Sequence, residues 1–234
     1  MNVEIWSDVV CPFCYIGKRK FETALSKFSH KNDIKIIWHS FQLAPDMEYA
    51  PGKNLNDWLA EKKGMPVQQA KEMNDHVEKM AEAVGLKFNF NTAKPANTFN
   101  AHRLIHLAEQ FGLQGQAKER LLSAYFTEGL NISDTDTLVK LGEEIGLKKK
   151  EIEEMLNSDK EAYNVKADIQ EAGAIGIRGV PFFLFNRKYA ISGAQSPESF
   201  LEALEKAWAE WKEESSIVTI AGAEGETCKP GEPC

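Results

Sequence analysis

Cys11 and Cys14, with two residues between them, stand where a strand pattern gives way to a helix pattern. Before them, Val3-Glu4-Ile5-Trp6 alternates apolar and polar residues, as a half-buried strand does. After them, Tyr15, Lys18, Phe21, Leu25 and Phe28 recur every three or four residues, the spacing of an amphipathic helix. Pro12 suits a first helical turn, where its missing N–H would have no partner anyway. Such a pair can close a small disulfide or hold a metal. At a helix N-terminus the free N–H groups and the helix dipole favour negative charge. Cys11 is therefore expected to carry a thiolate with a pKa of roughly 3.5–7.5, the reactive form in disulfide exchange. Cys14, one turn inward, is expected to be the less exposed resolving thiol. Lys18 and Arg19 add positive charge nearby unless they face solvent.

The remaining chain is ordered around this junction. Asp33-Ile34-Lys35-Ile36-Ile37-Trp38 reads as a second strand that closes a β-α-β unit, and Pro45 ends the pattern. From about Asn54 to Ala172 the signal is helical: Pro66 to Val84, Asn97 to Phe111, Gln114 to Thr127, Asp134 to Ile145, and Lys150 to Leu156. Asp134 and Ser158 are plausible N-caps, Ser158 with Glu161 at capping-box spacing. Glycines 85, 112, 129 and 146 fall where helices should stop. The glycine-rich run 173–179 reads as a loop. Strand character returns at Pro181–Phe185, Asn186-Arg187-Lys188 makes a turn into Tyr189–Ser192, and Ser196-Pro197 opens a last helix to about Glu213. Neither β-containing half can bury a sheet alone, so the two must pair. The expected architecture is α/β, with residues 1–45 and 173–214 as two halves of one domain, 46–172 as an all-helical insertion, and 215–234 as a mobile tail.

Three stretches together resemble the DsbA-like branch of thioredoxin-fold proteins, and within it the FrnE-like group, close to the 2-hydroxychromene-2-carboxylate isomerases. They are Ser7-Asp8-Val9-Val10-Cys11-Pro12-Phe13-Cys14-Tyr15-Ile16-Gly17, Asn97-Thr98-Phe99-Asn100-Ala101-His102-Arg103, and Gly176-Ile177-Arg178-Gly179-Val180-Pro181-Phe182-Phe183. The resemblance implies a thioredoxin-like fold in which Pro181 is cis and lies against the cysteines. Val180 would then offer its backbone to a bound peptide or thiol, much as an added strand would. It also places Asn97, His102 and Arg103 over the cysteine site, where they would contact substrate or a glutathione-like thiol; otherwise Asn97 caps its helix and His102 packs on it. Phe13 joins the expected substrate-binding residues. In the isomerases the position of Cys11 is usually Ser and glutathione is a cofactor. The Cys here favours dithiol–disulfide exchange.

Cys228 and Cys234 close the chain as Cys-Lys-Pro-Gly-Glu-Pro-Cys. Their spacing is wider than zinc pairs use, and no His-rich partner is near. They are instead a candidate second redox pair that relays electrons to Cys11 and Cys14. His102 and His106 lie four apart but lack the glutamate of a zinc-protease helix; no metal is expected. A net charge of -7 argues against nucleic acid and anionic membranes as partners. No stretch approaches the ~20 apolar residues that span a bilayer. The start Met1-Asn2-Val3-Glu4 lacks signal-peptide character, which points to the cytoplasm.

The expected activity is that of a protein disulfide oxidoreductase or isomerase using Cys11 and Cys14. Its expected partners are a disulfide-bearing protein or small thiol and a cellular thiol reductant, with no tightly bound cofactor, and the chain is expected as a monomer or homodimer. The alternatives are a glutathione-dependent isomerase or transferase acting on a small aromatic molecule, and a redox-sensing binding module.

Overall fold

The computed structural model describes residues 1–49 and 52–214. Strand β1 (Asn2–Ser7), helix α1 (Pro12–Lys27) and strand β2 (Lys35–Ser40) form the first unit, with β1 and β2 parallel from Asn2↔Lys35 to Ser7↔Ser40. Strand β3 (Phe182–Phe185) pairs antiparallel with β1, Ile5 opposite Phe183, and with β4 (Tyr189–Ser192). The sheet order is β2-β1-β3-β4, so the two distant halves do build one sheet. The three-residue turn between β3 and β4 puts Asn186 and Arg187 at φ 47° and 55°, in the left-handed region, and closes with Lys188 N–H on the Phe185 carbonyl at 3.0 Å.

Between β2 and β3 lie α2 (Leu55–Lys63), α3 (Val67–Glu82), α4 (Phe99–Glu109), α5 (Gln114–Phe126), α6 (Thr135–Glu144), α7 (Lys149–Leu156) and α8 (Ala162–Ile175); α9 (Pro197–Glu214) follows the hairpin. Asn54 caps α2 in a reciprocal capping box with Asp57, and Asp134 caps α6 by accepting from Thr137 N–H at 2.8 Å. Ser199 N–H donates to Ser196 Oγ at 3.2 Å, as an opening cap of α9 should. The four expected helix-stop glycines all take positive φ. Ser158 is not an N-cap. Its hydroxyl turns back onto the Glu154 carbonyl at 2.6 Å, and α8 begins only after Glu161, whose carboxylate is held by Gln110 and Asn164. The run 173–179 is likewise not all loop, because α8 continues to Ile175.

Three apolar clusters set the layers. Phe21, Phe183, Phe185, Phe200 and Leu204 fill the space between the sheet and α1 with α9. A larger cluster, including Leu104, Leu121, Tyr125 and Phe126, binds the helices between β2 and β3 to one another and to Tyr15 and Ile16 of α1. A small cluster of Trp6, Ala172, Ile177 and Leu184 packs α8 on the sheet. Thus α8 crosses the expected boundary at residue 172. Gln114 at the start of α5 bonds both the N–H and the carbonyl of Trp38, at 3.0 and 2.9 Å. It satisfies edge-strand groups that would otherwise be free to pair with another chain.

Candidate active site

Cys11 is the N-cap residue of α1 (φ −93°, ψ 113°), Pro12 opens the first turn, and Cys14 N–H donates to the Cys11 carbonyl at 3.1 Å. Both thiols are free and buried. The Cys11 thiol donates to the carbonyl of Val180 at 3.5 Å, and the Val180–Pro181 bond is cis. Residues 169 positions apart meet here because Trp6 is registered against Phe182 across β1 and β3. Pro181 in turn rests on α1: a Cβ on Gly17 would lie 3.0 Å from Pro181 Cγ.

Beneath the sulfurs lies a cluster of buried polar groups drawn from three elements. Asp8, in the β1–α1 connection, accepts from Leu43 N–H at 2.8 Å and pairs with His102 Nε2 of α4 at 3.2 Å. Lys118 of α5 is 1% exposed and donates to the Ser7 carbonyl at 3.1 Å. Burial pulls its ammonium down to about 8 against the opposing pull of Cys14 and Asp8. Burial also lowers His102 despite its Asp8 partner, so it is neutral. Asp8 is held below the usual carboxylate range; His102, the Leu43 N–H and Lys118 together outweigh burial.

Within the pair the two thiols are shifted in opposite directions. Cys11 is pushed well up by its shared hydrogen bond with Cys14, by burial and by the charge on Cys14. Cys14 is lowered: against burial act the Cys11 S–H, Lys118 and the Ser7 hydroxyl. The physical reason is local. The bond shared with Cys14 and burial raise Cys11 despite the Cys14 N–H, while the Cys11 thiol, Lys118 and the Ser7 hydroxyl draw Cys14 down against burial. The two thiols therefore titrate as one pair, the second proton leaving with more difficulty than the first. The helix cations do not contribute: Lys18 and Arg19 are both engaged by Glu119 and Glu22.

The sequence matches the DSBA-like thioredoxin domain over residues 2–205. The chain belongs to that family. A Bacillus subtilis (strain 168) relative, the uncharacterized protein YwbO, is 30% identical over 209 residues, covering 87% of this chain and 96% of its own length. The crystal structure of the probable DsbA oxidoreductase SCO1869 from Streptomyces coelicolor is 35% identical with a TM-score of 0.85, over 99% of this chain and 97% of that one. A 2-hydroxychromene-2-carboxylate isomerase structure shares the fold at 16% identity and a TM-score of 0.64, over 92% and 100% of the two chains.

The remaining expected site residues of this DSBA-like chain are placed as follows. Phe13 is exposed and lines a groove with Pro12, Met73, His76 and Val77 of α3. Asn97 is tied to the Pro45 carbonyl at 2.6 Å and accepts from Phe99 N–H at 2.9 Å, so it fastens the 41–47 loop to the start of α4. His102 is 1% exposed and meets Asp8, not an open groove. Arg103 is spent on the carbonyls of Met155, Ser158 and Lys160 at the end of α7. Cys228 and Cys234 lie outside the described residues. Beside Pro12 opens an apolar cavity of about 280 Å³, bounded in part by Val10, Leu55, Trp58 and Phe90, with Lys62, Lys63 and Tyr125 also on its wall; the Tyr125 hydroxyl has no hydrogen-bond partner among the described residues.

Asp8, Lys118 and Tyr125 were not singled out from the sequence. Lys118 carried a signal, because it interrupts the apolar face of α5 formed by Ala117, Leu121, Leu122 and Tyr125. A second polar cluster was equally unforeseen: Asp168 of α8 binds His39 Nδ1 at 2.7 Å, His106 Nε2 at 2.9 Å and Ser40 N–H at 2.7 Å. His39, Asp168 and Glu171 place donor atoms within 4.8 Å of one another, close enough to share a metal ion. In this structure they are paired instead among themselves and with Arg187. Among the described residues no helix is long and apolar enough to cross a membrane.

Proposed function

We propose that this chain is a thiol–disulfide oxidoreductase that exchanges disulfides through Cys11 and Cys14, working in the cytoplasm. The observation that carries the reading is the placement of the Cys11 sulfur against the Val180 carbonyl, with Cys14 one turn behind it. A substrate disulfide laid along Val180 meets Cys11 first. The Cys14 thiolate takes the Cys11 proton through their shared hydrogen bond, and the Cys11 thiolate attacks one substrate sulfur. The substrate S–S bond breaks, and the departing thiolate takes the proton back from Cys14. Cys14 then attacks Cys11, closes the enzyme disulfide and expels the second substrate thiolate. Reduction of the enzyme disulfide runs the same steps backwards. The partners are a disulfide-bearing protein and a cellular thiol, with glutathione as one candidate co-substrate. Cys228 and Cys234 are proposed as a relay to this pair.

The test is insulin reduction by dithiothreitol. Wild type should accelerate it and Cys11→Ser should not. A Cys11→Ser variant as fast as wild type would end the exchange reading. The apolar cavity beside Pro12 favours a second reading, glutathione-dependent isomerisation of a small aromatic molecule. That chemistry needs glutathione's thiol and not the enzyme's, so it predicts activity that persists in Cys11→Ser when glutathione is added.

A further inference from the structure

The apolar cavity beside Pro12 takes no part in the exchange steps above, and its walls restrict what it can hold. Val10 and Pro12, the two neighbours of Cys11, both line it, so a molecule seated there lies next to the nucleophile. Leu55 and Phe90 of the wall are buried; its exposed lining residues are Leu43, Lys62 and Lys63. A polypeptide would bury N–H and carbonyl groups that these walls cannot meet. The Leu43 N–H is taken by Asp8 at 2.8 Å, the Ala44 carbonyl by Met47 N–H at 3.1 Å, and Asn74 Nδ2 donates to Asn56 at 2.7 Å. Val180, whose backbone suits a peptide, is not on the wall. Glutathione carries two peptide bonds and meets the same obstacle. Two cations, meanwhile, stand without an anion. Among the described residues neither Lys62 nor Lys63 forms an ion pair; Lys62 Nζ lies 5.0 Å from the centre of the Trp58 ring, and the adjacent Glu61 is held by Lys53 at 2.7 Å. At about 280 Å³, against roughly 150 Å³ for a cavity that takes benzene, there is room for about a dozen non-hydrogen atoms. The matching occupant is small, apolar in its body, free of peptide groups and anionic at one end.

We propose that this cavity seats the small thiol partner of Cys11 and Cys14, and that the partner is an alkyl dithiol ending in a carboxylate, of the dihydrolipoate type. The cavity joins the neighbours of the nucleophile to the two unpaired lysines, so a chain with sulfur at one end and a carboxylate at the other spans what it joins. The methylene chain lies along Leu55, Trp58 and Phe90, and the carboxylate faces Lys62 and Lys63. This names the thiol class of the oxidoreductase reading and rests on that reading. One ligand thiol gives up its proton and attacks Cys11 of the enzyme disulfide. The Cys11–Cys14 bond breaks, and Cys14 takes the electron pair and that proton. The second ligand thiol then attacks the ligand sulfur of the mixed disulfide, closing the ligand's own disulfide ring. Cys11 leaves with the electron pair and the second thiol's proton. The ligand loses two electrons and two protons, and the enzyme dithiol holds all four. That dithiol is then ready to reduce a protein disulfide.

The experiment uses the full chain with Cys11 and Cys14 oxidised, carrying Cys228→Ser and Cys234→Ser so that only one pair reports. Its reduction is timed with dihydrolipoate, with the neutral amide dihydrolipoamide and with dithiothreitol, the first two rates being expressed relative to the third. Dihydrolipoate should exceed dihydrolipoamide by about fivefold, the worth of exposed ion pairs. Adding Lys62→Gln and Lys63→Gln, both at exposed positions, should bring the two rates together. Ala44→Phe, which fills the cavity from its wall, should lower both relative rates by about tenfold. Octanoate, a chain of the same length without sulfur, should bind the unsubstituted cavity in titration calorimetry and fail to bind Ala44→Phe, a readout that needs no exchange. Equal rates for the two dithiols, or a preference and octanoate binding that survive Ala44→Phe, overturn the proposal. So does a cavity that takes cinnamate and refuses octanoate, which would hand it to the isomerase reading. If the wild-type chain does not accelerate insulin reduction by dithiothreitol, the oxidoreductase reading itself falls, whatever octanoate does.

Discussion

Gly17 is the position at which the candidate site has least room. A Cβ there would stand 3.0 Å from Pro181 Cγ and 3.4 Å from Ala194 Cβ, tighter than ordinary packing allows. Gly17→Val would have to push the Val180–Pro181 segment off the first turns of α1, at a cost of about 1–3 kcal/mol. Because the same segment carries the carbonyl that receives Cys11, insulin reduction should slow as the urea midpoint falls. Wild-type values of both would show that Pro181 does not bear on α1. At this scale the sequence displayed the cysteine pair and its place at a strand–helix junction, because both are local signatures, whereas the cis Pro181 was expected only from the family resemblance. It did not display the buried polar groups beneath the pair. Lys118 lies more than a hundred positions away and is recognisable only as a cation on an apolar helix face.

Adjacent residues of α5 divide two tasks. Lys118 points to the cysteines, while Glu119 fastens α5 to α1, accepting from Tyr15 Oη at 2.5 Å, Lys18 Nζ at 2.6 Å and the guanidinium of Arg19. Against burial, which raises it, these donors take the Glu119 carboxyl down to about 2 from its ordinary 4.5. A lowered carboxylate contributes stability that is complete above its unfolded value and disappears as pH falls through the folded one. Glu119→Gln should therefore destabilise the chain by about 1–2 kcal/mol near neutrality, a figure discounted because the side chain is a third exposed. The gap to wild type should close between pH 4.5 and about 2. Urea unfolding across that range checks it, and a gap that persists at the acid end would remove Glu119 as its source. The elements themselves were largely legible, since strand alternation, helical spacing and glycine stops are all local patterns. The start of α8 was not: the capping-box spacing at Ser158 lost to the hydroxyl's bond with Glu154, and tertiary contacts of Glu161 fixed the helix start instead.

The whole molecule is held together by contacts that no local pattern announces. The sheet's edge strand β2 is joined to α4 and α8 through Asp168, which gathers His39, His106 and the Ser40 N–H into one buried group beneath Trp6. A histidine and an aspartate 129 positions apart carry no sign of each other in the sequence, so this joint appeared only with the fold. Asp168 is held far below the usual carboxylate range, its bonds to His106 and His39 overcoming burial. Burial would lower His39, yet Asp168 and Glu4 raise it above 6.5. The two signs differ. The His39 contribution is complete below pH 6.5 and fades as pH climbs through its raised folded value, whereas the Asp168 contribution is complete above 3.8 and fades only in acid. The joint is thus strongest between those limits. Asp168→Asn should cost about 1–3 kcal/mol, since it removes the charged acceptor shared by His39, His106 and the Ser40 N–H and leaves only Glu4 facing the His39 ring. His39→Gln should cost less, and its deficit should be largest at mildly acidic pH and shrink toward alkaline pH, where wild-type His39 has itself become neutral. Denaturant midpoints of the two variants across that range decide it: a His39→Gln deficit independent of pH would mean that His39 joins β2 to α8 as a neutral ring, by packing against Trp6 and not by charge.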